Sequence, residues 1–431
     1  MNTSPWPLTT SDVDGVMTIG GVSVVDLAAE FGTPLWVLDE ADLRDRCRAY
    51  LDAFPGVDVG YASKAWCAVG ILRIVAEEGL SIDVASAGEL HTASVAGVPM
   101  ERVIFHGNNK SVAELEMAAD LGVGRVVADS MTELDRLEAV GAARGHVFDI
   151  WIRVTPGIDA HTHEYVRTGH DDSKFGFTLS LGLADEAVRH ALGLDHVRLI
   201  GAHAHVGSQI FGTDAFVASA EVMMGALARW RDEHDLVLGE LNLGGGMGIR
   251  YTHEDHPVQP DRYGKATLEA VTGASDHHGY PRPRLFIEPG RAIVGPATVT
   301  LYEVGTVKPL PGLTTWVSVD GGMSDNIRPA LYDAEHEVRL ASRGSDAEPM
   351  TADVVGKHCE SGDIVRERAS LPGDIVAGDL LAVAATGAYT ASMASNYNRL
   401  PRPAAVVVDD GRARLLQRRE TLDDVVARDV L

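Results

Sequence analysis

Basic residues are in short supply in this chain. Lysine and arginine together number 37 against 62 aspartates and glutamates, a formal net charge of -25 over 431 residues. That balance argues against a surface for nucleic acid or anionic membrane. Any anionic ligand must then be held by local arginines and backbone amides. Cysteine is scarcer still: Cys47, Cys67 and Cys359 are the whole complement, an odd number with no C-x-x-C pair. Such usage predicts reduced thiols in a cytosol, and no metal is expected. No apolar run is long enough to span a bilayer. The opening "MNTSPWPLTTSDVDG" has neither a basic start nor an apolar h-region, so a soluble cytoplasmic protein is expected. Low-complexity tracts and short-period repeats are absent too, which leaves a solenoid unsupported.

What is present is ordinary globular material, 45% hydrophobic and 23% charged. The length predicts two domains, or one large barrel with a smaller companion. Between about residues 57 and 290, short strand-like runs alternate with segments of helical periodicity, as a parallel sheet requires. Eight runs can be counted: "VDVGY", "LSIDV", "RVIFH", "RVVAD", "DIWIRV", "RLIGAHAHV", "ELNLG" and "RLFIE". The segments after them, such as "SAGELHTASVAG" and "SVAELEMAADLG", open with Ser as a helix N-cap and close with Gly. Eight such units predict an α/β fold, a (β/α)8 TIM-like barrel, although a doubly wound open sheet gives a similar string.

The polar residues favour the barrel. Each run ends in, or is followed by, a group able to do chemistry: Lys64, Asp83, His106, Asp129, Arg153, His205, the glycines Gly244 to Gly246, and Glu288. Barrel active sites gather at that end. Any one of these alone would pass as a turn residue or a cap; eight together are harder to dismiss. Beyond about Arg291 the texture changes to "TVTLYEVGTV", "TWVSVD", "LLAVAA" and "AAVVVD", separated by Gly and Pro turns. These predict a second, all-β domain, sandwich-like or a β-barrel, which the N-terminal strands in "VMTIGGVSVVD" would join. The expected division is 35–293 for the barrel, with 1–34 and 294–431 for the β domain.

Three rim features point to one kind of cofactor. In "VGYASKAW", Lys64 follows a strand, where a surface ammonium is the common outcome and a desolvated amine ready to bind an aldehyde the sharper one. "NLGGGMGIRY" puts three consecutive glycines after the seventh strand, a place where barrels often bind phosphate. "FIEPGRAIVG" sets Glu288 at the mouth with Gly290 and Arg291 behind it. Pyridoxal 5'-phosphate needs an amine for its aldehyde, N–H groups for its phosphate and an acid for its ring nitrogen.

The chain resembles the fold-type III pyridoxal-phosphate decarboxylases, and among them the branch that acts on meso-diaminopimelate. The likeness runs from about Gly32 to Thr421 through "YASKA", "SIDVASAGEL", "FHGNNKS", "HTHEYVRTG", "SKFGF", "HAHVGSQI", "NLGGGMGI", "EPGRAIVGP", "VDGGMSDNIRPALY", "GKHCESGDI" and "TGAYTASMASNYNRLPRP". By this resemblance Lys64 carries the cofactor and His205 stacks on its ring. Ser208, Gly245, Gly246, Gly290 and Arg291 surround the phosphate with help from Tyr389, and Glu288 pairs with the ring nitrogen. Asp83 and His106 would organise the lysine end of the pocket. The resemblance nominates Cys359 of "HCES" as donor of the Cα proton; a small buried hydrophobe is the ordinary fate of a cysteine.

The implied reaction is decarboxylation of meso-2,6-diaminopimelate to L-lysine and carbon dioxide, the last step of lysine biosynthesis. A second amino acid head calls for a cation and an anion at the far end of the pocket. Arg291, Arg328, Tyr332, Glu360 and Tyr389 are the nominees. The resemblance also implies a homodimer with shared sites, the loop of Cys359 and Glu360 serving the partner's pocket. The alternatives are a decarboxylase of arginine, ornithine or carboxynorspermidine, an amino acid racemase, or a non-catalytic cofactor-binding regulator.

Overall fold

The computed structural model describes residues 4–158 and 173–430. The "HTHEYVRTG" stretch therefore lies outside the described residues. The chain divides into two compact units: Met1–Arg46, Ile249–His256 and Arg291–Leu431 in one, Cys47–Gly248 and Pro257–Gly290 in the other.

The second of these is a closed barrel of eight parallel strands. In chain order they are Asp58–Ala62, Ser81–Val84, Val103–Phe105, Arg125–Ala128, Phe148–Thr155, Val197–Ala204, Glu240–Asn242 and Arg284–Ile287. Each is hydrogen-bonded to the next; the eighth pairs with the first and the fourth with the fifth, so no edge is left in the ring. All eight runs read from the sequence are strands. The helices between them start and stop where the cap residues predict. Ser86, Ser111 and Ser130 accept from the backbone N–H three residues on, and Gly97, Gly122 and Gly145 close their helices with φ of 77, 69 and 63°. Those positive angles favour glycine, which has no Cβ to clash.

Polarity is layered along the barrel. At the N-terminal ends of the strands Arg125 pairs with Glu240 at 2.6 Å. Ile104, Val127, Trp151 and Phe286 then fill an apolar layer. Asp83, His106, Arg153, His203, Asn242 and Glu288 are buried toward the C-terminal ends. This cluster of buried ionisable groups lies at the end of the barrel where such folds carry their chemistry.

The other unit is built on a sheet that runs, in pairing order, Ile364–Pro372, Pro349–Val355, Thr314–Val319, Thr298–Leu310, Leu35–Asp39, Ala404–Asp409 and Arg412–Gln417. Two shorter strands branch from it: Leu380–Val383 pairs with Thr298–Leu310, and Val338–Leu340 pairs with Leu380–Val383. All four β-rich runs expected here are strands of this sheet. The N-terminal contribution differs from expectation. Ser11–Val13, Val16–Ile19 and Val22–Ser23 make a small sheet of their own, because Ser23 caps a helix at Val24–Phe31 and ends the strand. The N-terminal segment that does enter the large sheet is Leu35–Asp39. It lies antiparallel to Thr298–Leu310 and parallel to Ala404–Asp409. All five of its residues are buried, so "LWVLD" reads as a two-sided interior strand and groups with the sheet, not with the barrel.

Candidate active site

The barrel mouth is organised around Glu288, one residue past the eighth strand. Its Oε1 accepts from His106 Nε2 and from Asn242 Nδ2, both at 2.8 Å. Its second oxygen lies 3.4 Å from His203 Nε2. Three strands thus each send one nitrogen to one carboxylate. Burial on its own would raise the acidity constant of Glu288; His106 and His203 outweigh it and hold the group well below the usual carboxylate range. Glu288 is an anion in a dry place.

Two histidines near it are held neutral. Burial presses His203 down to about 3, and His205 goes well below its ordinary value from burial and the nearby Lys64 and Arg153 charges. A neutral His205 suits stacking on an aromatic ring, since a cation there would repel a protonated one. Its Nδ1 accepts from the Gly245 N–H at 3.3 Å, which fixes the imidazole against the glycine loop. Asp83 is pushed up by burial, partly offset by His106, whose Nε2 is 4.0 Å from its Oδ1; Glu288 and Lys64 also act on it.

The glycine loop is a close-packed cradle. A Cβ on Gly245 would sit 2.0 Å from the Glu288 carbonyl oxygen, and one on Gly246 would sit 2.2 Å from that of Gly207. Gly246 has φ of 119°. Glu288 N–H donates to the Gly244 carbonyl and Ile210 N–H to that of Gly246, so the loops after strands six, seven and eight are tied together. Gly290 packs on Ala62, where a Cβ would lie 2.9 Å from the Ala62 Cβ. Lys64 sits in the turn Ser63–Ala65 directly after the first strand, exposed between two buried neighbours. Ser208 is half-buried on the loop after the sixth strand. The mouth therefore assembles Lys64, Asp83, His205, Ser208, Gly245, Gly246, Glu288 and Gly290.

Arg291, Arg328, Tyr332 and Tyr389 belong to the other unit and gather there around Tyr251. The Arg291 guanidinium lies 4.8 Å from the Tyr389 ring centre and donates to the Tyr251 hydroxyl. Arg328 stands 5.0 Å from the Tyr251 ring and 5.5 Å from that of Tyr332. Both arginines are buried, and Arg328 Nε has no hydrogen-bond partner among the described residues. Tyr389 holds φ of 60°, strained for an aromatic residue and the kind of conformation found at ligand clamps.

Cys359 and Glu360 are exposed on a separate turn of the same unit. Asn398 Oδ1 accepts the Cys359 N–H at 2.9 Å, and Tyr397 donates to Glu360 at 3.4 Å. His358, bonded through Nδ1 to Asp363 at 2.7 Å, stacks on the Tyr397 ring with 6° between planes.

His203, Asn242 and Tyr251 escaped the sequence reading. His203 was signalled by its spacing of two from His205 in "HAHV", which puts both on one strand face. Asn242 stands two residues ahead of the glycines. Tyr251 carried no local signal. His106 was expected at the lysine end, whereas its ring nitrogen serves Glu288.

Comparison with known proteins agrees with this geometry. Residues 40–295 match the pyridoxal-dependent decarboxylase family, pyridoxal binding domain. The chain belongs to the pyridoxal-dependent decarboxylases, within them to the diaminopimelate decarboxylase family. It is 48% identical over 420 residues to diaminopimelate decarboxylase of Bacillus subtilis, covering 96% of this chain and 95% of that one. The Mycobacterium tuberculosis enzyme of the same name is 49% identical, at 99% and 97% coverage. Among solved structures, diaminopimelate decarboxylase of M. jannaschii in complex with L-lysine superposes with a TM-score of 0.93 at 31% identity, covering 98% of each chain.

The residues present fit pyridoxal 5'-phosphate, the cofactor of this family. An ionised, dry carboxylate, a neutral imidazole, a glycine cradle and a lysine share one barrel mouth.

Proposed function

We propose that this protein decarboxylates meso-2,6-diaminopimelate to L-lysine and carbon dioxide, the closing step of lysine biosynthesis. The observation that carries the substrate assignment is the buried pair Arg291 and Arg328, whose guanidiniums rest on tyrosine faces while Arg328 Nε has no partner among the described residues. A buried guanidinium left with an open donor is expensive unless a carboxylate meets it. A substrate with a second amino acid head supplies that carboxylate; a simple diamine precursor does not.

In this reading Lys64, Ser208, Gly245, Gly246, Gly290, Arg291 and Tyr389 hold the cofactor. Bound there, pyridoxal phosphate accepts the electrons released when the Cα–carboxylate bond breaks. Glu288, kept ionised by its N–H donors, is the acceptor for the ring nitrogen, and Asp83 tunes the charge beside it. His205 covers the ring face. Arg328 and Tyr332 bind the distal carboxylate, and Glu360 binds the distal ammonium. The Cys359 thiol delivers a proton to the substrate Cα after carbon dioxide leaves. Cys359 and Glu360 are exposed in this chain, which suits a homodimer whose partner's pocket they complete. Three free cysteines suit a reducing cytoplasm, and no helix among the described residues is long and apolar enough to cross a membrane.

Incubation with pyridoxal phosphate and meso-diaminopimelate is expected to yield lysine and carbon dioxide in equal amounts. Ornithine and arginine should give no diamine. Turnover of either in preference to diaminopimelate, or racemisation without carbon dioxide, would overturn the assignment.

A further inference from the structure

Glu288 is unusual in how completely its direction is set. His106 Nε2 and Asn242 Nδ2 converge on one oxygen at 2.8 Å each, and His203 Nε2 stands 3.4 Å from the other. The donors come from the third, seventh and sixth strands, and His106 is 182 residues from Glu288 in sequence. The two histidine rings meet edge to face with centres 4.8 Å apart, each limiting the other's rotation. His106, His203, Asn242 and Glu288 are all buried.

The members of this cage are not equal. Asn242 spends its amide oxygen on the Gly244 N–H at 2.7 Å, so its role is shared with shaping the glycine loop. His203 reaches Glu288 at a longer distance. His106 makes the short bond and also faces a second carboxylate, Asp83, at 4.0 Å. Arg153 acts electrostatically on both acids from the fifth strand. Among the described residues His106 thus has its Nε2 within reach of both acids of the mouth, and its short hydrogen bond goes to Glu288.

Resting on the reading that Glu288 meets the cofactor's ring nitrogen, we infer that His106 is a positioning residue for the reaction: its Nε2–H orients Glu288 and holds it as the anion. It touches neither substrate nor cofactor in this role. Removing it leaves Glu288 beside Asp83 with the Asn242 amide and the longer His203 contact as its remaining donors. Glu288 then turns or takes a proton, and the ring nitrogen loses its acceptor.

Three variants separate this role from simple packing. His106→Gln retains an N–H donor at a similar reach, His106→Asn retains a donor that is too short, and His106→Leu retains bulk alone. The readouts are the pH titration of the bound chromophore, the dissociation constant of pyridoxal phosphate from apoprotein, and the separate kcat and KM. For Leu and Asn we expect kcat to fall about 10- to 100-fold, the worth of one hydrogen bond to a charged group, with KM changed less than about threefold. The ring nitrogen's titration, followed in the spectrum of the bound cofactor, should move down by about one unit and cofactor binding should weaken about tenfold. Gln should recover both to within about threefold of the parent. Equal behaviour of all three variants, or an unmoved titration in Asn and Leu, would overturn the role. Should the Leu variant fail to fold, the Gln against Asn contrast decides alone. Glu288→Gln, measured alongside, distinguishes the two layers. If it leaves the chromophore titration unmoved, the reading of Glu288 itself is wrong. If it moves the titration and His106→Asn does not, only the inference fails.

Discussion

The barrel mouth and the arginine cluster of the sheet unit both bury charge, and they stabilise it by opposite means. At the mouth, directional N–H donors from His106 and Asn242 converge on one carboxylate and use up its acceptor positions on that side. In the sheet unit, Arg291 and Arg328 lie over tyrosine rings, an attraction that is broad in direction, and Arg328 Nε has no hydrogen-bond partner among the described residues. The difference suits the two jobs proposed for them. A carboxylate that must face one ring nitrogen gains from being fixed. A guanidinium that must receive an arriving carboxylate gains from keeping donors open.

The comparison can be broken first through the arginines. Arg328→Gln should raise KM for diaminopimelate about 10- to 100-fold, as expected for loss of one charge-assisted contact, while the cofactor's spectrum and binding stay unchanged. Steady-state kinetics with a spectrum of the holoenzyme check this. A loss of kcat with KM intact would place Arg328 with Glu288 and erase the distinction.

Acid gives a smaller and more general effect. His203 at the mouth and His336 in the sheet unit are both held down to about 3, by burial in each case, with Arg328 adding to the effect on His336. Each takes up its proton in the unfolded chain near its ordinary 6.5 but not in the native state until about pH 3. Stability from these groups is therefore full above about pH 6.5 and declines as pH falls through that window. Glu288, held low in the native state, adds loss in the same direction at the acid end. Thermal unfolding between pH 7 and 4 should show a falling midpoint, with a shallower slope in His336→Asn. A midpoint that rises on acidification would contradict the sign.

Much of this architecture was legible along the chain. Each parallel strand is a short apolar run with a polar residue at its exit, so all eight strands and the end carrying the chemistry could be read locally. The capping serines and closing glycines marked the helices for the same reason. Long-range partnerships were not legible. That His106 serves Glu288 depends on the curl of the barrel bringing the third strand's exit toward the eighth's. "LWVLD" is an apolar run at the start of the barrel pattern, and only its pairing with Thr298–Leu310 and Ala404–Asp409 reveals which unit it serves. Tyr251 follows the glycine loop in sequence yet belongs with the sheet unit, a placement no pattern of residues announces.

The account turns on where the cofactor is attached. Reduction of the holoenzyme with borohydride, followed by peptide mapping, should place the pyridoxyl label on Lys64 in the peptide around "YASKAW". The label on Lys110, Lys174, Lys265, Lys308 or Lys357, or on no lysine at all, would contradict it.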